Sequence, residues 1–237
     1  KTSTERNILG QYATPFAFAE EIVEQTQTYF QNEQQISFLD PAFGTGVFYS
    51  ALLSQVPLHR IQKAQGFEID PHYATPTRNL WNNWNIQLDT VDFTDISAPV
   101  NENDKYNLII CNPPYVRHHH IQQDKKEQLQ RFIRFHWNYT ISGLTGLYCY
   151  FLFYADCWLR QNGIGCWLIP NEFLDVNYGK ILKTYLTKNV TLLRIHKFSS
   201  EDVKFHDALV TSVIVWIKKQ KPLPDETVVF SSGKSLR

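Results

Sequence analysis

The chain predicts an α/β fold: one doubly wound, open sheet with helices on both faces. Three observations predict it. Short apolar runs alternate with longer segments of helical spacing along nearly the whole sequence. The first run, Ile36 to Leu39, passes through a glycine-containing turn straight into a helical segment, Val47 to Leu53. The run Leu108-Ile109-Ile110-Cys111 is apolar without alternation, as a strand buried on both faces should be, and Asn112-Pro113-Pro114-Tyr115 stops it. At 237 residues, 43% hydrophobic and 19% charged, the chain suits one globular domain with a substantial core.

The totals narrow the function. Six Trp, twelve Tyr and sixteen Phe are many, which suits ring stacking as well as packing. No apolar run approaches membrane-spanning length and no secretory leader pattern opens the sequence, so a cytoplasmic location and no membrane partner are expected. Cys111, Cys149, Cys157 and Cys166 lack metal-ligand spacing and fall in apolar segments, which reads as reduced core thiols. The formal charge of zero is unevenly spread. Residues 1–115 hold 6 Lys and Arg against 13 Asp and Glu, and residues 116–237 hold 17 against 10. A basic second half suits a polyanion, and equally an ordinary solvated surface.

In chain order, Gly10-Gln11-Tyr12-Ala13-Thr14-Pro15 precedes an amphipathic helix, with Thr14 as its expected cap and Pro15 at its first position. After the first strand comes Asp40-Pro41-Ala42-Phe43-Gly44-Thr45-Gly46. Gly44 and Gly46 let a ligand touch backbone, but the turn matches neither a Walker loop nor the dinucleotide fingerprint. A second strand, Lys63 to Phe67, ends at Glu68-Ile69-Asp70. A carboxylate there is placed to grip a ribose diol, beside the plainer reading of a surface charge. Ile86 and Leu88 suggest a third strand. Asp92 can then accept a hydrogen bond from a cofactor amino group while Phe93 packs on its ring.

The Asn112 to Tyr115 turn lies at a strand's C-terminal end, where open α/β sheets keep their sites. An amide oxygen and a proline carbonyl can both accept from one amino group, and the Tyr ring can lie against the heterocycle that carries it. Residues 116–139 are basic and aromatic, and read as a mobile loop touching phosphates. His118-His119-His120 is not a zinc site, since adjacent side chains diverge and no partner ligand spacing supports one, so no metal is expected. Leu147 to Leu159 is a helix ended by Gly163, Ile164 to Ile169 a fifth strand, Lys180 to Thr187 a helix, and Leu192 to His196 and Ala208 to Trp216 further strands. Phe205 is an aromatic in a polar loop, as readily an anchoring hydrophobe as a functional group.

This ordered set resembles the S-adenosylmethionine-dependent amino-methyltransferases, specifically the gamma group of adenine-N6 DNA methyltransferases of restriction–modification systems. The resemblance rests on Gly10 to Pro15, Asp40 to Gly46, Glu68, Asp92-Phe93 and Asn112 to Tyr115 in that order, and runs from about Gly10 to Trp216. Phe43 stands at a variable place of the glycine turn. The resemblance implies a Rossmann-like methyltransferase fold with a mostly parallel seven-stranded sheet and one antiparallel strand. It implies that Thr14, Asp40, Ala42, Gly44, Gly46, Glu68, Ile69, Asp92, Phe93 and Asn112 bind S-adenosylmethionine. Asn112, Pro113, Pro114 and Tyr115 would form the catalytic turn, with Tyr115 and Phe205 sandwiching a flipped base. Double-stranded DNA is the implied partner. Residues 1–237 would form the catalytic domain, with target recognition on a further domain or a separate specificity subunit. The rivals are a protein glutamine-N5 methyltransferase and a non-catalytic modification-subunit fragment that binds DNA or a partner.

Overall fold

The computed structural model describes residues 10–31, 34–198 and 212–236. Helix α1 (Phe16–Gln27) leads into β1 (Ile36–Asp40), α2 (Val47–Gln55), β2 (Ile61–Phe67), α3 (Pro71–Trp81), β3 (Gln87–Asp89) and β4 (Tyr106–Cys111). Then follow α4 (Gln123–Trp137), α5 (Leu147–Trp158), β5 (Leu159–Pro170), α6 (Lys180–Lys188), β6 (Thr191–Lys197), β7 (Ser212–Lys218) and β8 (Val229–Ser232). The strands form one eight-stranded sheet in the order β3-β2-β1-β4-β5-β7-β6-β8. Strand β7 is antiparallel to β5 and β6, and all other pairs are parallel.

The central strands β1, β4 and β7 are buried on both faces, and successive residues feed two cores. Leu39, Ile109 and Trp167 pack with α4, α5 and α6, while Phe38, Leu108, Ile110 and Trp216 pack with α1 and α2 on the other face. The Trp216 Nε1–H donates to Thr26 Oγ1 of α1 at 2.8 Å, so even the indole polar atom of this core is satisfied. Strands β2 and β4 flank β1 on opposite sides, so the direction of winding reverses between β1 and β4. That crevice, at the carboxyl ends of the two strands, is where such sheets bind ligands. No helix among the described residues is long and apolar enough to cross a membrane.

Four local expectations need correction. The sheet has eight strands, not seven, because Val229–Ser232 adds a parallel edge strand beside β6. The residues 116–139 are not a loop. They hold a 3-10 turn and then α4, whose Leu129 and Ile133 are fully buried one turn apart. The helix before the fifth strand ends at Trp158 rather than at Gly163, and β5 starts at Leu159 through the polar residues Arg160 to Asn162. Thr14 does not cap α1. Pro15 occupies the cap position, its carbonyl accepts the Phe18 and Ala19 N–H groups, and the Thr14 hydroxyl is engaged elsewhere.

Candidate active site

The glycine turn after β1 is held from below and behind. The Phe43 N–H donates to the Phe67 carbonyl of β2 at 2.8 Å. From α3, the Thr77 hydroxyl donates to the Gly44 carbonyl at 2.9 Å and Trp81 Nε1–H to the Thr45 carbonyl at 3.0 Å. The two glycines serve different ends. A Cβ on Gly46 (φ +85°) would come within 2.7 Å of Phe43 and Trp81, so this position is reserved for packing. A Cβ on Gly44 (φ +55°) would meet nothing within 4 Å, so its backbone faces an open approach.

Glu68 stands opposite that opening. Its Oε2 accepts the Gly44 N–H at 2.9 Å and its Oε1 the Asp70 N–H at 2.8 Å. Asp70 caps α3 through the His72 N–H and also receives Gln11 Nε2–H at 2.9 Å. One hydrogen-bonded chain therefore joins the N-terminal segment, the end of β2 and the glycine turn. Ile69 beside it is 61% exposed, an apolar surface available to a ligand ring. Asp40 is buried at the end of β1, its Oδ1 accepting the Ala42 N–H at 3.1 Å. Burial drives its pKa up to about 8 despite that hydrogen bond.

Asn112 is the decisive side chain. Its Nδ2 donates to the Tyr12 carbonyl at 3.0 Å and to Thr14 Oγ1 at 3.1 Å. A carbonyl only accepts, so the amide NH₂ must face Tyr12 and the oxygen must point away. That oxygen, Oδ1, is buried and has no hydrogen-bond partner among the described residues. An orphaned buried acceptor costs about 1–3 kcal/mol, which a donor brought by a ligand would relieve. The N-terminal segment is locked to the same turn, since the Tyr115 N–H donates to the Gly10 carbonyl at 3.0 Å and the Tyr12 and Tyr115 rings lie 5.3 Å apart. The Tyr115 hydroxyl donates to the Leu168 carbonyl of β5 at 3.0 Å, which fixes its ring, and burial keeps it a neutral phenol.

Asp92 is engaged on both oxygens. Oδ1 accepts the Thr94 N–H and hydroxyl at 2.9 and 2.7 Å, and Oδ2 lies 2.9 Å from Lys125 Nζ. Phe93 is 1% exposed, packed among Phe67, Phe151 and Trp158. Its ring anchors the turn that carries Asp92 and presents no open face to a ligand. Phe205 lies outside the described residues. The structure thus brings Thr14, Asp40, Ala42, Gly44, Glu68, Asn112 and Tyr115 to the β1 and β4 ends. Sequence reasoning missed Gln11 and Lys125. The first partners a residue 59 positions away, which nothing local signals, and the second lay in what read as a loop. Among the described residues no three of His, Cys, Asp and Glu converge as a metal ion would need.

Residues 49–204 match the Eco57I restriction-modification methylase family. The chain belongs to that family. M.AccI, a type II methyltransferase of Acinetobacter calcoaceticus, is 36% identical over 213 residues, which cover 89% of this chain and 37% of M.AccI. The Eco57I-family chain described here thus spans little more than a third of that relative's length. Among solved structures, a protein of Listeria monocytogenes assigned to the class I S-adenosylmethionine-dependent methyltransferases superposes with a TM-score of 0.74 at 17% identity, over 94% of this chain and 66% of the other. The methyltransferase subunit of a type I restriction–modification system from Streptococcus thermophilus gives 0.72 at 17% identity, over 94% and 47%. At those identities the likeness speaks for the fold, a Rossmann-like methyltransferase sheet.

Proposed function

We propose that this chain is the catalytic domain of a site-specific DNA methyltransferase of a restriction–modification system, one that methylates N6 of a flipped-out adenine with S-adenosylmethionine. The observation that carries the reading is the Asn112 carboxamide, turned by Tyr12 and Thr14 so that a buried acceptor is left for an incoming donor. Membership of the Eco57I family and the name of M.AccI support the DNA substrate. Target recognition then falls to a further domain or a specificity subunit.

The chain's residues fit the cofactor. Gly44 leaves open space over its backbone, Glu68 stands beside it for a ribose diol, and Asp40, Ala42, Ile69, Asp92 and Thr14 complete the set around the β1 crevice, while Gly46 serves through the shape of the turn. Phe93 takes part through the turn it anchors. Bound there, S-adenosylmethionine supplies an electrophilic methyl group on a sulfonium. Everything else is required of the chain. The lone pair of an adenine amino group is delocalised into its ring. Asn112 Oδ1 and the Pro113 carbonyl accept from that group and favour a pyramidal nitrogen, stabilising the positive charge that develops on it. Pro114 holds the turn rigid, which makes the acceptors preorganised. Tyr115, with Phe205 as the proposed second ring, receives the extruded base and offsets its lost stacking. No strong base is required, because the methylated nitrogen sheds its proton to water.

The test is tritiated-methyl transfer to varied DNAs by the full-length protein, with digestion to identify the modified base. N6-methyladenine is expected. Asn112→Ala should lower turnover by about 100-fold or more while cofactor affinity changes less than about threefold. Label in cytosine, or on protein alone, overturns the reading.

A further inference from the structure

Lys125 opens the second turn's worth of contacts between α4 and the rest of the molecule. Its Nζ sits 2.9 Å from Asp92 Oδ2 and 2.8 Å from Asp95 Oδ1, with the lysine side chain only 20% exposed. Three residues on, and so on the same helix face, Gln128 Nε2–H donates to the same Asp95 oxygen at 3.1 Å. Asp92 caps the 3-10 turn Phe93–Asp95, and Phe93 roots that turn in the core. The first turns of α4 are therefore pinned to the one turn that presents Asp92.

We propose that Lys125 is a positioning residue for the adenine end of the cofactor: it holds the Asp92 carboxylate in one orientation, so that Asp92 reads an exocyclic amino group. The inference rests on the reading that Asp92 receives that group. Thr94 fixes one carboxylate oxygen from the backbone side, and Lys125 fixes the other. A carboxylate oxygen has two lone pairs, so Oδ2 holds the ammonium and still accepts from a second donor. Without the lysine, Asp92 and Asp95 face each other three residues apart with no cation between them. Asp92 then keeps its Thr94 contacts on Oδ1 but loses the partner that holds Oδ2.

The test compares binding of two probes to the full chain by calorimetry: S-adenosylhomocysteine, and S-inosylhomocysteine, which carries a carbonyl in place of the amino group. Wild type should prefer the adenosyl compound strongly. Lys125→Ala should weaken S-adenosylhomocysteine binding by about tenfold and bring the two affinities within about threefold of each other. Lys125→Arg, whose planar fork can span both carboxylates, should keep the preference. A merely structural role would lower both affinities together and leave their ratio intact, and that result overturns the proposal. So does tighter binding by Lys125→Ala, which would make the lysine a competitor. Failure of wild type to bind S-adenosylhomocysteine overturns the cofactor reading itself, a distinct outcome.

Discussion

Two residues about a hundred positions before Asn112 set the direction of its amide. Tyr12 offers Asn112 a carbonyl and Thr14 a hydroxyl, and the carboxamide has no choice but to turn its oxygen away from them. The identity of Asn112 was legible from the strand it ends and the prolines that follow. Its orientation was not, because nothing local encodes a contact that the fold makes across such a span. Gly10 makes that contact possible. It sits at φ +63°, and a Cβ there would lie 2.3 Å from the Tyr115 nitrogen and 2.6 Å from that of Val116. Those neighbours are backbone and cannot swing aside. Gly10→Ala should therefore lift the N-terminal segment off the catalytic turn, costing about 1–3 kcal/mol of stability and releasing Asn112 from its partners. Urea unfolding together with S-adenosylhomocysteine binding checks this, and an alanine variant of wild-type stability would show that the segment is not packed there.

Helix α4 was the element the sequence concealed. Its apolar positions, Leu129, Phe132, Ile133 and Trp137, have helical spacing, but charged and amide side chains outnumber them and three histidines precede them. A composition-led reading sees a polar loop. The strands were easier, since β1 and β4 are buried on both faces and read as unbroken apolar runs. The start of β5 was not legible, because its first residues project past the core and carry polar side chains. If α4 owes its place to a narrow stripe, single truncations should separate cleanly. Ile133→Ala should cost about 2–5 kcal/mol, the range for emptying a buried aliphatic site. Arg131→Ala, on the exposed face with a carboxylate only 3.8 Å away, should change stability by less than about 0.5 kcal/mol. Equal effects of the two, by denaturant unfolding, would mean the helix is not docked through Leu129 and Ile133.

At the scale of the whole molecule, the reversal between β1 and β4 sets an acid at the bottom of the crevice, and this has a consequence for stability. Asp40 is 1% exposed, and its pKa stands at about 8 against an ordinary value of 3.8, with burial as the first cause and the nearby Glu68 charge adding to it. The native state therefore holds this proton more tightly than the unfolded chain does. Below the unfolded value both states are protonated, and the buried carboxyl is tolerated as a neutral group. As pH rises past it, the unfolded chain ionises freely while the native chain does not, and stability drains away until the folded value is passed near 8. Asp40→Asn is neutral at every pH, and its amide oxygen can still accept the Ala42 N–H. Relative to that variant, wild type should lose on the order of 4 kcal/mol of unfolding free energy between about pH 5 and pH 8.5, since each pKa unit is worth about 1.4 kcal/mol. Taking the difference between the two proteins cancels the titrating groups that do not interact with Asp40. Urea unfolding of both across that range measures it. A difference that stays flat with pH would mean that Asp40 is ionised throughout, and that the β1 end of the crevice is wetter than its burial implies.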